Sequence, residues 1–502
     1  MTPMLINGRP AGAKSAKCVE VLNPANDELV GCVPVASEED VDAAVRSSAQ
    51  AFAEWRDTPA VERAATMMEV VGAVRQRTDE IAQLLSREQG KPYPQAQGEL
   101  NGFCAVMEFY AQEARRITGM VLQSDHRDRF VYALREPVGV VAAIPPWNDP
   151  LHLLSRMIGP ALAAGCTVVA KPSSETPLAT LLTAQTAVEA GLRAGVLNVV
   201  TGPGDKVGED LARHPLVRKI AMTGSVAGGR QVMAAAAEGI KRVTLELGGQ
   251  CPCIVWDDAD VDKAADAITF QAFRGCGQVC NRVNRVYAHE AIADELVKRV
   301  AELAGRIVVG EAFAEGVDIG PLINARQLAH VAEHVTDAVN CGAKVLTGGK
   351  RVGRKGYFYQ PTVLADCNQQ MKVMREETFG PVLAMMTVGP DLDRAFELAN
   401  DTIYGLSAFF FSADQRKCFL AARRLEAGSV WINDIHGSML QAPYGGIKAS
   451  GIGREQGAVA VGEYLEWKTV YHEMSRASRG PRLCAHHGKL AKPGPRRKGK
   501  AR

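Results

Sequence analysis

Three short stretches of the chain contain residue types that, if brought together, would attack a carbonyl group and stabilise the product. Cys280 lies in FRGCGQVCN (273–281), where the small residue Gly277 would let a carbonyl group approach a thiolate closely. Glu246 ends an apolar run in RVTLELGGQCP, where desolvation raises the pKa of a carboxyl group and suits it to general-base catalysis. Asn148 lies in IPPWNDP between prolines, and a rigidly held amide donor stabilises an oxyanion by roughly 3 to 4 kcal/mol.

Each of these residues, taken alone, also fits a structural role. A cysteine in apolar surroundings is often an inert core thiol, Glu246 could end a strand in a salt bridge, and Asn148 could be a buried turn residue. Cys276, four residues before Cys280, does not complete a metal site, because no second Cys or His pair follows at a suitable spacing. We therefore expect no metal, interpret Cys276 as a structural thiol, and expect most of the 12 cysteines to be reduced.

The elements that must position these residues are helices first and then alternating strands and helices. From about residue 38 to 118 apolar residues recur at helical spacing, and Ser37 is the predicted N-cap of SEEDVDAAVRSSAQAFAEW. Short β-branched runs then alternate with helical segments from RFVYALREPVGVVAAI to RKIAMTGS, and a second such series begins near residue 251. This alternation is typical of βαβ units and predicts an α/β fold with parallel sheets.

Length and charge narrow the class of protein further. A chain of 502 residues exceeds what one hydrophobic core supports, so two or three domains are expected. No membrane span or secretory signal is evident, which predicts a cytoplasmic protein. Residues 475–502 hold ten of the 58 Lys and Arg residues and none of the 56 acids, so the rest carries a formal charge of −8. We expect a disordered basic tail, and no nucleic-acid binding except through that tail.

In their order along the chain, the stretches with Asn148, Glu246 and Cys280 are followed by EETFGP (376–381) and PYGGIKASGIGRE (443–455). Together these five stretches resemble the aldehyde dehydrogenase superfamily. The resemblance runs from LINGR (5–9) to EYLEWKTVY (463–471), which is nearly the whole chain except the tail. It implies a Rossmann-type cofactor domain, an α/β catalytic domain and a small β oligomerisation flap, and hence a homo-oligomer, either a dimer or a tetramer. The implied boundaries are 1–122 and 139–246 for the cofactor domain, 247–442 for the catalytic domain, and 123–138 and 456–474 for the flap.

The resemblance also implies roles for the three candidate residues. Cys280 would attack an aldehyde to give a thiohemiacetal, whose oxyanion the Asn148 amide and the Cys280 backbone N–H would hold. Glu246 would activate the water that hydrolyses the resulting thioester, which favours a free carboxylic acid as the product. An acylating, coenzyme A-dependent reaction is the alternative mechanism. A catalytically retired fold that acts as a binding protein is the alternative of another class.

The cofactor site is expected at TGSVAGG (223–229), where backbone N–H groups at a helix start suit a pyrophosphate. The resemblance assigns cofactor contacts to eight residues: Trp147, Lys171, Ser174, Gly224, Ser225, Gly229, Glu377 and Phe379. Ser174 stands where NAD-selective members usually carry a glutamate that binds the ribose 2′-hydroxyl, and Glu175 is displaced by one position. We therefore expect NADP to be accepted, either alone or alongside NAD.

The helix after the Asn148 motif would line the substrate tunnel, with Asp149, His152 and Arg156 on one face. Arg156 and Arg274 stand at the positions where the chain resembles succinate-semialdehyde dehydrogenases, whose paired arginines hold a distal carboxylate. A small polar, anionic aldehyde such as succinate semialdehyde is thus the expected substrate. Other stretches, such as KGYFYQPTVL, resemble lactaldehyde and glycolaldehyde dehydrogenases.

Asp149 and His152 leave the substrate prediction open in one respect. An acid and an imidazole could hydrogen-bond a substrate hydroxyl, which would fit a hydroxylated anionic aldehyde such as sulfolactaldehyde. They could equally pair with each other or with Arg156, which would leave one arginine free.

Overall fold

The computed structural model describes residues 1–435 and 439–474, so the predicted basic tail lies outside the described residues. The strands are β1 (Met4–Ile6), β2 (Arg9–Ala11), β3 (Cys18–Leu22), β4 (Leu29–Pro34), β5 (Met120–Leu122), β6 (Arg129–Pro137), β7 (Val140–Ile144), β8 (Thr167–Ala170), β9 (Leu197–Val199), β10 (Val217–Thr223), β11 (Arg242–Glu246), β12 (Pro252–Val255), β13 (Arg285–His289), β14 (Lys344–Thr347), β15 (Thr362–Ala365), β16 (Val382–Val388), β17 (Ser407–Phe411), β18 (Ser429–Ile432), β19 (Gly451–Ile452) and β20 (Leu465–Glu473).

The α-helices surround and connect these strands. They are α1 (Glu38–Asp57), α2 (Ala60–Gln76), α3 (Thr78–Gln89), α4 (Tyr93–Glu113), α5 (Pro150–Ala164), α6 (Leu178–Glu189), α7 (Glu209–Arg213), α8 (Val226–Glu238), α9 (Val261–Phe273), α10 (Ala293–Ala304), α11 (Ala325–Asn340), α12 (Lys372–Arg375), α13 (Leu392–Asn400), α14 (Gln415–Arg424) and α15 (Gly457–Gly462). None of these helices combines the length and apolar character needed to cross a bilayer.

An eight-stranded sheet carries two of the candidate residues. Its order is β19-β11-β10-β7-β8-β9-β1-β2, and the strands from β11 to β9 run parallel. Strands β7 and β8 are buried along their whole length, as expected for a parallel sheet covered on both faces. The carboxyl ends of β7, β10 and β11 meet at one edge, where Thr223 pairs with Glu246. The segments that follow these strands, with Asn148 and Ser225, therefore lie near one another.

A seven-stranded sheet forms the second α/β region of the chain and positions Cys280. Its order is β14-β15-β16-β13-β12-β17-β18, parallel throughout except for β14. Cys280 lies in the loop between α9 and β13, just after a tight turn at Arg274–Gly277. The Cys276 backbone in that turn has a left-handed conformation, with φ of 59°, so the chain changes direction within a few residues.

The predicted α/β fold class with parallel sheets is confirmed by this architecture. The helical stretch predicted from residue 38 consists of α1 to α4, and Ser37 caps α1 as predicted. The Ser37 hydroxyl accepts from the Asp40 backbone N–H, while the Asp40 carboxylate accepts from the Ser37 backbone N–H at 2.9 Å.

A small unit comprises residues 118–135 and, among the described residues, 467–474. It belongs to the three-stranded sheet β20-β6-β5, in which β5 and β6 are antiparallel. The predicted flap, 123–138 and 456–474, contains β6 and β20 of this sheet. Strand β5 ends just before the first flap segment, and α15 falls within the second one. The domain boundaries given above stay a prediction.

Candidate active site

The three candidate catalytic residues come from separate elements and are brought together in the structure. Asn148 and Cys280 line the same cavity of about 240 Å³, together with Gly248, which follows Glu246 by two residues. The Glu246 carboxyl group lies beside the Cys280 thiol and interacts with it. A thiol, a carboxyl group and an amide therefore converge on one cavity, which is the arrangement that covalent attack on a carbonyl group requires.

Glu246 is buried in a way that suits a general base. Its side chain is almost inaccessible to solvent, and among the described residues its carboxyl oxygens have no hydrogen-bond partner other than the adjacent Cys280 thiol. Burial raises the pKa of Glu246 to about 8, with a further rise from the Glu455 carboxylate and an opposing effect from Arg156. A carboxyl group with a pKa this close to neutrality can both accept and release a proton at physiological pH.

The thiol of Cys280 is protonated in this state. Burial and the neighbouring Glu246 carboxyl raise the pKa of the Cys280 thiol well above its usual value, and Arg156 opposes this only in part. A nucleophilic thiolate must therefore form by proton transfer, and Glu246 is the adjacent acceptor. By contrast, Cys276 is fully buried in the apolar core, as expected for a structural thiol.

Gly277 is required by packing. A Cβ atom at this position would lie 2.2 Å from the Gly380 carbonyl oxygen, and φ is +67°. Glycine is thus needed because the turn before Cys280 packs against the EETFGP loop, and the expected approach of a carbonyl group past Gly277 stays a prediction.

Asn148 has its side-chain amide free for a ligand. No described residue hydrogen-bonds this amide, whereas the Asn148 backbone carbonyl accepts from Lys91 Nζ at 2.8 Å. Asn148 lines both the cavity shared with Cys280 and a second cavity of about 360 Å³. We call these the cofactor-side cavity and the substrate-side cavity, and Asn148 stands between them.

The cofactor-side cavity contains most of the predicted cofactor residues. Trp147, Gly224, Ser225, Glu377 and Phe379 all line it. The Trp147 and Phe379 rings meet edge to face at 5.4 Å, and Glu377 Oε1 accepts from the Gly249 backbone N–H at 2.9 Å. Burial raises the pKa of Glu377 to about 7.

The start of α8 has the geometry of an anion site. Ser225 is the N-cap, and its hydroxyl accepts from the Gly228 backbone N–H at 3.1 Å. A Cβ atom at Gly229 would lie 2.5 Å from the Leu247 side chain, so this glycine allows α8 to pack closely against the segment after Glu246. The N-terminal end of α8 adjoins this cavity through Gly224 and Ser225, and free N–H groups at a helix N-terminus stabilise a phosphate.

Lys171 and Ser174 lie apart from that cavity and share one partner. Lys171 Nζ donates to the carbonyl oxygens of Pro172 at 2.9 Å and Gly202 at 3.1 Å, and Ser174 Oγ donates to the Gly202 oxygen at 3.0 Å. Burial lowers the pKa of Lys171 to about 8. The ammonium group retains one N–H for which the described residues provide no acceptor, and a ribose hydroxyl would suit it.

The substrate-side cavity is lined largely by polar side chains, among them Asp149, His152 and Arg274. Arg274 is half-buried, and its guanidinium donates to two neutral amides, Gln271 Oε1 at 2.9 Å and Asn281 Oδ1 at 2.8 Å. Asp149 pairs with Lys91 at 2.8 Å. Arg274 thus presents a positive charge to the cavity and forms no ion pair within 4 Å among the described residues, although the Asp149 carboxylate interacts with it electrostatically.

Arg156 is not among the residues that line this cavity. Its Nη2 lies 2.9 Å from His152 Nε2, its Nη1 lies 3.9 Å from Glu455 Oε2, and its guanidinium stacks over the Tyr444 ring at 5.2 Å. Burial and Arg156 lower the pKa of His152 to about 3, so His152 is neutral and accepts from Arg156. The structure therefore brings Arg274, Asp149 and His152 together but directs Arg156 toward Glu455.

Three charged residues near the site were not singled out from the sequence: Lys91, Glu99 and Glu455. Lys91 and Glu99 are both buried and form an ion pair with N–O distance 2.5 Å. Glu455 falls in the quoted motif PYGGIKASGIGRE, and that position was the available signal. Nothing in EQGKPYPQAQGEL marks the charges of Lys91 and Glu99 as buried ones.

The fold and this constellation define the class of protein. The model of the aldehyde dehydrogenase family matches residues 11–470, and the chain belongs to this family. It is therefore an oxidoreductase that acts on aldehydes, which confirms the family expected from the sequence; the binding-protein alternative is not supported.

Individual relatives are similar along nearly the whole chain. The chain is 41% identical over 464 residues to the succinate-semialdehyde dehydrogenase (NADP(+)) GabD of Escherichia coli, covering 92% of this chain and 96% of the relative. It is 38% identical over 465 residues to the 3-sulfolactaldehyde dehydrogenase of Pseudomonas putida, covering 93% and 96%. Among solved structures, the lactaldehyde dehydrogenase from Escherichia coli matches with a TM-score of 0.92 and 37% identity, covering 94% of this chain and 99% of that one.

Proposed function

We propose that the enzyme oxidises a small aldehyde bearing an anionic group to the carboxylic acid, by covalent catalysis at Cys280 with NAD or NADP as the hydride acceptor. The observation that carries the proposal is the convergence of Cys280, Glu246 and Asn148 at the cofactor-side cavity, with Asn148 also lining the substrate-side cavity that contains Arg274. The first three residues provide the chemistry, and the fourth selects the substrate.

Catalysis begins with proton transfer from the Cys280 thiol to Glu246. The Cys280 sulfur attacks the aldehyde carbon, and the oxygen becomes an oxyanion that accepts hydrogen bonds from the Asn148 amide and the Cys280 backbone N–H. A bound nicotinamide dinucleotide supplies the acceptor for the hydride that leaves this carbon.

Hydrolysis of the thioester then requires a base for water. Glu246, whose pKa is about 8, first releases to solvent the proton that it took from Cys280, and it then accepts a proton from the water that attacks the thioester carbon. This second proton passes to the Cys280 sulfur as the acid leaves. The products are then the free acid and the regenerated thiol. Product analysis with and without coenzyme A tests this step against the acylating alternative, which predicts a coenzyme A ester.

The cofactor proposal rests on the described residues around α8 and Lys171. Glu377, Phe379 and Trp147 would hold the nicotinamide end, Gly224, Ser225 and Gly229 the phosphates, and Lys171 the adenosine ribose. Ser174 places no carboxylate beside Lys171, and the neighbouring Glu175 accepts instead from Asn324 Nδ2 at 2.9 Å. Because Ser174 carries no charge, no carboxylate stands at that position to repel a 2′-phosphate, so NADP is accepted.

Arg274 supports an anionic substrate. A guanidinium whose hydrogen bonds go only to neutral amides, in a cavity of about 360 Å³, is a favourable site for a carboxylate or sulfonate, although the Asp149 carboxylate shares the cavity and interacts with the same charge. The second oxygen of Asp149 is open to the same cavity, since the side chain is 33% exposed and only Oδ1 pairs with Lys91. A hydroxylated anionic aldehyde, such as sulfolactaldehyde, is therefore the second candidate substrate.

A steady-state screen tests the substrate and cofactor together. Succinate semialdehyde, glutarate semialdehyde, lactaldehyde, glycolaldehyde and sulfolactaldehyde would each be measured with NAD and with NADP, and butanal would serve as the neutral control. The proposal predicts the highest kcat/KM for an anionic aldehyde and turnover with NADP. Equal kcat/KM for butanal and succinate semialdehyde would contradict the anionic substrate class.

We also propose that the enzyme is a homo-oligomer, either a dimer or a tetramer, assembled through the three-stranded sheet. Apolar side chains of this sheet are exposed, with Val121 at 74% and Tyr471 at 69%. Light scattering coupled to gel filtration, on the full chain and on a Val121→Asp variant, tests the proposal, because a monomeric wild-type enzyme would contradict it.

A further inference from the structure

The backbone that carries Asn148 is held by a buried ammonium group from outside the loop. Lys91 Nζ has three N–H groups and three acceptors: Glu99 Oε2 at 2.5 Å, the Asn148 carbonyl oxygen at 2.8 Å and Asp149 Oδ1 at 2.8 Å. The two carboxylates outweigh the effect of burial and raise the pKa of Lys91, so it stays charged. The peptide of the proposed oxyanion donor is thus bound to a fixed cation.

Glu99 holds the same segment from its other side. Asp149 is the N-cap residue of α5 but does not cap it, because its carboxylate points to Lys91. The first free N–H groups of α5, those of Leu151 and His152, donate instead to Glu99 Oε1 at 2.7 and 3.2 Å. A carboxylate from α4 therefore caps the helix that follows Asn148.

Stability alone does not account for this arrangement. The side chains of Lys91 and Glu99 are only 6% and 3% exposed, and replacing a buried ion pair by apolar residues is often neutral or stabilising. The ion pair of Lys91 and Glu99 instead fixes the position of the segment 148–152, because it makes four hydrogen bonds to that segment. Placement matters at an oxyanion site, where a shift of about 1 Å can cost roughly 100-fold in rate.

We propose that Lys91 and Glu99 are positioning residues that fix the Asn148 amide for oxyanion stabilisation. This inference rests on the proposed function in one point, the role of the Asn148 amide as oxyanion donor. Lys91 and Glu99 do not touch the reacting atoms, and their effect passes through Asn148. Loss of either residue therefore slows steps that form an oxyanion and leaves other reactions of Cys280 unchanged.

The test compares two reactions of the same thiol in the full-length enzyme. Hydride transfer from succinate semialdehyde to NADP, measured in a single turnover, forms an oxyanion; alkylation of Cys280 by iodoacetamide does not. Asn148→Ala is the reference variant, expected to slow hydride transfer by roughly 100- to 1,000-fold, as when other oxyanion donors are removed, with alkylation within about twofold. Lys91→Met should slow hydride transfer by roughly 10- to 100-fold, also without an effect on alkylation.

The double variant Lys91→Met/Asn148→Ala separates positioning from a general structural role. If Lys91 acts through Asn148, the double variant is no slower than Asn148→Ala alone. Additive losses, or an equal loss in the alkylation rate, would overturn the inference and leave the proposed function intact. An unaffected Asn148→Ala enzyme would instead remove the oxyanion donor from the proposed function, and this inference with it.

Glu99→Gln provides a second variant if Lys91→Met does not fold. Its amide oxygen can still accept from the Leu151 and His152 N–H groups, while the charge opposite Lys91 is lost. We expect the same pattern, with a smaller loss of hydride transfer than in Lys91→Met and an unchanged alkylation rate. A Glu99→Gln enzyme with wild-type hydride transfer would contradict the role of Glu99.

Discussion

The two cavities on either side of Asn148 are built in different ways. The cofactor-side cavity is shaped by backbone segments that must approach closely, such as Gly248, where a Cβ atom would lie 2.3 Å from Glu377. The substrate-side cavity is shaped by charged side chains from separate elements, such as Lys91, Asp149 and Arg274. Few substitutions are therefore tolerated around the cofactor-side cavity. In the substrate-side cavity, by contrast, the substitution of one charged residue can change which ligand binds.

The largest effect is expected at the Cys280 sulfur atom, whose residue lines the cofactor-side cavity. Cys280→Ser should lower kcat for aldehyde oxidation by at least roughly 10,000-fold, because removing a catalytic nucleophile removes the covalent route. Cys276→Ser, in the same turn but buried away from the cavity, is the matched control and should retain activity within about threefold. Steady-state kinetics of both variants measure this difference, and comparable losses in the two would contradict the assignment.

The next effect concerns the proton that Cys280 must lose. Because the raised pKa of Glu246 is about 8, its basic form increases as the pH rises through that value, so kcat/KM should increase with pH up to about 8 and then level off. Glu246→Gln should lower kcat by roughly 100- to 10,000-fold and remove the break near pH 8, leaving only the rise at higher pH that the Cys280 thiol sets. The pH dependence of kcat/KM from pH 6 to about 9.5 tests both statements.

Arg156 sharpens this prediction. Its guanidinium favours the ionised form of Glu246, so Arg156→Ala should move the ascending limb to higher pH. A limb that stays near pH 8 in Arg156→Ala would show that Arg156 does not influence the base.

A smaller effect is expected on the substrate side. Arg274→Ala should raise KM for succinate semialdehyde by roughly 10- to 150-fold, the value of a charge-assisted hydrogen bond, and leave KM for butanal unchanged. An equal rise for butanal would indicate a change in cavity shape rather than loss of an anion site.

The smallest expected effect is on cofactor choice. Ser174→Glu should lower kcat/KM with NADP by roughly tenfold or more, since a carboxylate repels the 2′-phosphate, and should leave NAD use unchanged. Ser173→Glu, one residue earlier, is the matched control. If both variants lose activity with NADP and with NAD equally, the residue at position 174 does not determine the choice between the two cofactors.

The same contrast explains what could be predicted from the sequence. The motif residues Cys280, Asn148 and Glu246 were predicted to act together. Asn148 and Glu246 lie together because β7 and β11 end at one sheet edge, whereas the loop between α9 and β13 brings Cys280 to them. The pairing of Asp149 and His152 was left open, since a buried charge depends on its partners. The Lys91 partners, Asn148 and Asp149, lie 57 and 58 residues away in the chain, and no local pattern marks such a contact.

The central claim is that one sulfur atom, that of Cys280, forms the covalent intermediate. In Glu246→Gln, attack can proceed from the small thiolate fraction, whereas water lacks its base, so the acyl group should accumulate on the enzyme. The most direct measurement is mass spectrometry of peptides from this variant after incubation with succinate semialdehyde and NADP. We predict the acyl adduct on the peptide containing Cys280; an adduct on Cys251 or Cys276 instead, or none while the wild-type enzyme turns over, would contradict the account.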